Sequence, residues 1–283
     1  MSESIRTSQG TFTAELAGPA HAPLVVLLHG FPLSRHSWRA QLPALGATGY
    51  RALAPDQRGY SPGVRPDPSA LESYGIARLV ADVLELADTC GPAGAPFHVV
   101  GHDWGGQVAW CLAARHPERV RSLAVYSRPH PAAFRAAYQE NRDGQQERSR
   151  HHRAFHDPAT GALLLADGAR RLRAILAREK IPADAIEQHL SVLGTAEAME
   201  AALAWYRSAG TLAAIEVGPV RAPTLYVWGD ADSTVGASAA HATAEWVTGP
   251  YRFAHARGLG HCVSDEDPAL ATRVLLEHLR SVR

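Results

Sequence analysis

The chain has 283 residues, 46% of them apolar and 20% charged, with 28 acidic side chains against 28 Lys and Arg. That length accommodates one large core with an inserted or appended subdomain. The neutral balance argues against nucleic acid or an anionic membrane as partner.

Taken in chain order, the opening MSESIRTSQGTF lacks a basic stretch followed by an apolar one, so no signal peptide is expected. Leu24–Leu28 is the longest apolar run, far too short to cross a bilayer. It reads as a strand buried on both faces, and so do 97–100, 123–126 and 224–228. Continuous hydrophobicity of this kind is what a parallel sheet between helix layers requires. Residues 51–54 form a weaker fifth strand stopped by Pro55, and SPGVRPDPSA, 61–70, is a Pro-rich surface loop. From 74 to about 89, Ile76, Leu79, Val80, Val83, Leu84 and Ala87 recur at helical spacing on one stripe. Strands alternating with helices predict an α/β fold with right-handed crossovers.

The rhythm breaks after Tyr126. From 128 to 218 come polar, Arg- and His-rich helical segments such as ARRLRAILAREK and TAEAMEAALAWYRSAG, and the strand pattern resumes at APTLYVWGD. The expected organisation is a core of 1–127 and 219–283 with a helical insertion, 128–218. Such an insertion would cover the carboxyl ends of the strands, where α/β sheets bind ligands. Lys180 is the only lysine, which with the abundant alanine reads as the mark of a GC-rich genome. Cys90, Cys111 and Cys262 are odd in number and fit no metal or redox spacing, so reduced thiols in a cytoplasmic protein are expected.

Four motifs follow in an informative order: HGFP at 29–32, GHDWGG at 101–106, WGDAD at 228–232 and GLGHCVSDEDP at 258–268. Nucleophile, acid, then histidine is the chain order of the α/β-hydrolases. The chain resembles that superfamily over essentially its whole length, and Asp103 followed by Trp104 resembles the branch of epoxide hydrolases and haloalkane dehalogenases. The resemblance implies a mostly parallel sheet flanked by helices, with the insertion as a helical cap, in a bacterial enzyme.

Each motif has a physical reason. Small residues at Gly101 and Gly105 allow a sharp turn that exposes the central side chain in strained backbone. The helix that follows points its N-terminus at the site, favouring developing negative charge. The resemblance makes the N–H groups of Phe31 and Trp104 the oxyanion hole, His261 the base and Asp232 the carboxylate that orients it. Asp230 competes for that last role, but the family spacing from the glycine selects Asp232. His29 and His102 are read as structural hydrogen-bonders, and the DQRGYS turn at 56–61 as structural.

The carboxylate at the nucleophile position decides the chemistry. Serine attacking a saturated carbon would leave an ether, which water cannot readily release. Aspartate attacking the same carbon leaves an alkyl ester, which is hydrolysed at its own carbonyl. Asp103 therefore points to epoxide opening or halide displacement, with His261 activating water for the second step.

The group that receives the leaving atom separates the two. ALAWYRSAG, 202–210, resembles the epoxide hydrolase segment whose tyrosine protonates the ring oxygen, which places that role on Tyr206. The family's second cap tyrosine is expected shortly after Ser149, where this chain carries His151; Tyr138 is an alternative donor. For a haloalkane dehalogenase, Trp104 would supply one halide donor, Phe31 occupies the position of the second, and Trp205 is a substitute. A fluoroacetate dehalogenase would need arginines where Trp104 and Gln107 stand, so an anionic substrate loses its bidentate partner.

The expected activity is thus epoxide hydrolysis of a small-molecule substrate, with no cofactor, no metal, no nucleic acid and no membrane. Haloalkane dehalogenation is the alternative, and a binding-only relative the reading from another class. His152 and His156 have zinc-like spacing but lack a third ligand, and are read as a solvated cap face. Cys262 has no oxyanion-hole turn around it. A homodimer stays open.

Overall fold

The computed structural model describes residues 2–209 and 216–282. Eight strands make one sheet: β1 (Ser2–Thr7), β2 (Gly10–Ala17), β3 (Leu24–Leu28), β4 (Arg51–Pro55), β5 (Phe97–His102), β6 (Val120–Tyr126), β7 (Thr224–Gly229) and β8 (Tyr251–Ala256). Their order is β1-β2-β4-β3-β5-β6-β7-β8. From β4 to β8 every neighbouring pair is parallel, whereas β2 runs antiparallel to both β1 and β4. The fold is that of an α/β-hydrolase.

The helices of the core are α1 (Gln41–Ala47), α2 (Ile76–Cys90) and α3 (Trp104–Arg115). Between β6 and β7 come α4 (Pro131–Gln139), α5 (Gln145–Arg148), α6 (His151–His156), α7 (Thr160–Arg178), α8 (Ala183–Leu193) and α9 (Ala196–Ala209). After β7 follow α10 (Ala237–Ala242), α11 (Val263–Glu266) and α12 (Pro268–Ser281). The expected helical stretch from 128 to 218 includes 210–215, which lie outside the described residues.

The unbroken apolar strands are explained by a core on each face of the sheet. Val26, Leu28, Val99, Leu123 and Val125 pack with Leu79 and Val83 of α2 and Val108 and Leu112 of α3. Their strand neighbours Val25, Leu27, Val100, Ala124 and Leu225 turn the other way, onto Leu42 and Leu45 of α1 and Val274, Leu275 and Leu279 of α12. Alternation is therefore present in space although the sequence reads as continuous, because both faces are dry. No helix among the described residues is long and apolar enough to cross a membrane.

Three strands escape the hydrophobic pattern. β1 and β8 are the sheet edges and show one buried position each, while β2 buries only Phe12 and Ala14. Edge strands have solvent beside them and need no apolar run. The helix α9 is buried on nearly all sides from Ala198 to Tyr206, because it lies between the core and α6, α7 and α8.

Candidate active site

The site forms where β3, β5 and β7 end. Asp103 is the N-cap of α3, with φ +50° and ψ −117°, a conformation that costs a residue with a side chain about 1–3 kcal/mol. The turn admits no bulk: a Cβ on Gly105 would run into the Leu28 carbonyl, and one on Gly101 into the Gly105 carbonyl. Phe31, on the loop after β3, donates its N–H to Asp103 Oδ1 at 3.1 Å. Trp104 is the first residue of α3, whose leading N–H groups have no partner within the helix.

His261 stands between two carboxylates. Its Nε2 lies 3.6 Å from Asp103 Oδ2, and its Nδ1 lies 2.9 Å from Asp232 Oδ2. Asp232 Oδ1 accepts from the N–H groups of Thr234 and Val235, at 2.7 and 3.1 Å, and from the Thr234 hydroxyl at 2.8 Å. That hydroxyl is also 2.7 Å from His261 Nδ1. The His261 carbonyl is held from the core side by Ser127 Oγ at 2.6 Å and His102 Nε2 at 2.9 Å. Asp230 is exposed and bound instead to His255 and the Gly258 N–H, away from the imidazole.

The charges follow from this geometry. Burial opposes ionisation of Asp103, but the His261 side chain and the Phe31 N–H outweigh it and hold the carboxyl below its ordinary range. Burial likewise disfavours a charged His261, yet Asp232 and Asp103 prevail and raise its pKa well above the usual value. The resting pair is carboxylate and imidazolium. Burial drives His29 down to about 3 and His102 to about 4. Neither is a base; His29 braces the Gln57 backbone N–H through Nε2.

A cavity of about 470 Å³ opens from Asp103 and His261. Phe31, Phe155, Leu172 and Ile175 make much of its wall, and Tyr206, His151 and charged side chains such as Glu147, Arg148 and Glu179 line it too. Tyr206 packs edge-on against Phe31 and Trp104, with ring centroids 5.5 and 5.1 Å away. Burial and the nearby Asp103 charge push its phenol well above the ordinary value, so it stays protonated. Burial lowers the His151 pKa and keeps that imidazole neutral at neutral pH.

The structure brings together Asp103, Asp232, His261, Phe31, Tyr206 and His151, and separates others from them. Tyr138 stacks on Phe134, off the cavity wall. Trp205 gives its indole N–H to the Arg58 carbonyl at 3.0 Å, so it has none to offer a halide. Gln107 accepts two bonds from the buried Arg128, at 3.1 and 2.8 Å. The DQRGYS turn is structural: Arg58 grips Asp82 of α2 at 2.7 and 2.6 Å.

One expectation is corrected. His152 does not lie on a solvated face; its half-buried ring is tilted against Tyr206 at 5.6 Å, and burial lowers its pKa to about 3. His156 is exposed as expected. Among the described residues no group of three or more His, Cys, Asp or Glu side chains could hold a metal ion.

Thr234, Ser127 and Gln145 had no place in the sequence reading. Gln145 of α5 donates to the Thr234 carbonyl at 2.8 Å and accepts the Gly236 N–H at 2.9 Å, and Arg148 donates to the Asp232 carbonyl at 2.7 Å. Asp-x-Thr at 232–234 is an Asx-turn pattern that could have flagged Thr234. Ser127 and Gln145 carry no such signal, because their partners are 134 and 91 residues away.

The family model for the alpha/beta hydrolase fold matches residues 23–268. Epoxide hydrolase A of Mycobacterium tuberculosis is 33% identical over 300 residues, covering 93% of this chain and 92% of that protein. The crystal structure of epoxide hydrolase A from Mycobacterium thermoresistibile superposes with a TM-score of 0.82 at 30% identity, over 99% of this chain and 98% of the other. The Bacillus megaterium epoxide hydrolase solved with an inhibitor gives a TM-score of 0.87 at 24% identity, over 98% of this chain and 100% of that one, which is a likeness of fold.

Proposed function

The chain is a hydrolase of the α/β-hydrolase fold family, in the branch of the epoxide hydrolases, and from that premise we propose that it opens a small-molecule epoxide to a vicinal diol through an ester on Asp103. The observation that carries this reading is a carboxylate at the turn before α3 that lines one cavity together with a protonated phenol, Tyr206. Asp103 Oδ2 attacks a ring carbon, the C–O bond of the ring breaks, and its oxygen takes the Tyr206 proton. Oδ1 becomes the ester carbonyl, already bonded to the Phe31 N–H, with the Trp104 N–H as second donor. With the Asp103 charge gone, His261 releases its resting proton to solvent and, oriented by Asp232, takes a proton from water as the water attacks the Asp103 carbonyl carbon. The tetrahedral intermediate collapses, the diol oxygen leaves with that proton, and Asp103, released with the second proton of the water, ionises. That proton restores Tyr206 through solvent, and His261 regains its resting proton from solvent.

The resting imidazolium fits this sequence. Two carboxylates hold its proton, and esterification of Asp103 removes one of those charges, so the pKa of His261 falls at the step where a base is needed. His261 in Asp103→Asn should accordingly titrate at lower pH than in the unmodified protein, read by imidazole NMR. Where ester hydrolysis limits turnover, kcat should decline as pH falls through the His261 pKa of the ester form. An unchanged titration in Asp103→Asn would remove this account.

Halide displacement is less well served. The Trp205 N–H is committed to Arg58, and the Phe31 side chain offers only carbon at the second donor position. Tyr206→Phe tests the choice, since a phenol acting as general acid is worth about 10²–10⁴-fold. Diol formation should drop at least by the lower figure. Retention of the wild-type rate, or halide release from haloalkanes outpacing diol formation, would overturn the assignment. A ligand that raises the melting temperature without turnover of any epoxide in a broad panel would favour a binding-only relative. His151 lines the cavity with its imidazole bonded to the Arg148 backbone, and as second donor to the ring oxygen it would exchange that bond. The three free cysteines suit the cytoplasm.

A further inference from the structure

We infer that Lys180 and Glu266 form a strap from the helical insertion to the loop that carries His261, and that this strap positions the base. The inference rests on the ester mechanism above, because only its second step uses His261. Lys180 sits at the corner between α7 and α8, in the left-handed region at φ +56°. Its ammonium donates to Glu266 Oε2 at 2.8 Å. The other oxygen, Oε1, accepts the N–H of Gly260 at 2.8 Å, one residue before the base. Gly260 has no room for a side chain, since a Cβ there would press on that carboxylate oxygen.

The pair is lopsided in exposure. The Glu266 side chain is 2% exposed, whereas that of Lys180 is 60% exposed. A buried carboxylate is costly unless it is paired and hydrogen-bonded. Removing the ammonium therefore leaves Glu266 with an uncompensated charge, and the carboxylate must turn toward water and drop Gly260. The backbone around His261 is held at its carbonyl by Ser127 and His102 of the core. The bond on its N-terminal side depends on a residue of the insertion. Glu179, next to Lys180, and Cys262, next to His261, both line the cavity, so the strap sits at its edge. The acid loop is gripped from the insertion too, through Gln145.

A positioning role predicts an asymmetric defect. Alkylation of Asp103 needs no base, so its rate should be unchanged in Lys180→Met, while ester hydrolysis should slow about tenfold, the equivalent of about 1.4 kcal/mol. Rapid quench with nitrostyrene oxide followed by intact-mass measurement would show ester accumulating in Lys180→Met. Lys180→Arg, which keeps the cation, should restore hydrolysis. Acetylation of the wild-type protein reaches Lys180 as its only lysine side chain and should reproduce the defect without any change of sequence. Equal slowing of both steps, or no slowing in both Lys180→Met and the acetylated protein, would overturn the strap.

A second readout is independent of the ester: the downfield proton on His261 Nδ1, seen by NMR. It should shift in Lys180→Met and return in Lys180→Arg. If His261→Gln forms no ester on Asp103, the mechanism fails, and this resonance still decides the strap. A resonance unmoved in Lys180→Met would overturn it.

Discussion

Replacing His261 with Gln is expected to trap substrate on the protein as an ester of Asp103. The first step needs only a carboxylate and an acid, and both remain. Glutamine cannot take the proton of water, so the second step loses a general base worth about 10²–10⁴-fold. Overall turnover should fall by that factor, while the protein gains the mass of one epoxide within the first turnover. Peptide mapping should place the added mass on Asp103. A variant that stays unmodified under saturating epoxide, or that turns over at the wild-type rate, would refute the two-step route. Asp232→Asn should do less damage, because Thr234 still contacts His261 Nδ1 at 2.7 Å.

Removing Asp103 should have the largest effect on activity. Asp103→Ala leaves the Phe31 N–H, Tyr206 and His261 in place but nothing to form the ester. The loss should be about 10⁴–10⁶-fold, the scale on which deleting a covalent nucleophile acts. Diol formation at the wild-type rate would show that His261 activates water directly on the epoxide. The same position offers a second test. Because Asp103 lies at φ +50° and ψ −117°, Asp103→Gly should be more stable than Asp103→Ala by about 1 kcal/mol. Thermal unfolding of the two inactive variants measures that strain without the charge of Asp103 entering the comparison.

The motifs that carry the proposed two-step chemistry were legible because each is local. GHDWGG encodes a turn, a nucleophile and the start of a helix within six residues, and backbone sterics leave that stretch little alternative. Chain order supplied the partners, with Asp232 and His261 at the ends of later elements. Tyr206 was found by resemblance of a short segment, and its place on the cavity wall supports the role given to it. His151 and His152 show the limit. They are adjacent in the sequence, and helical geometry alone does not say which ring reaches the cavity and which packs on Tyr206.

By itself, the sequence determined the strand-helix alternation of the central core and the turn at Asp103, both of which follow from contacts within a few residues. It did not determine the edge strands, because solvent on one side relaxes the demand for apolar side chains. Nor did it determine that Trp205 is spent on Arg58, that Thr234 bridges acid and base, or that Lys180 reaches across to Glu266. Those bonds join residues from 27 to 147 positions apart. Their donors and acceptors are ordinary polar groups with no local pattern. Only the packing of distant segments, of the cap helices against the core and of the loops after β7 and β8 against each other, brings them within bonding distance, so only the tertiary structure could decide them.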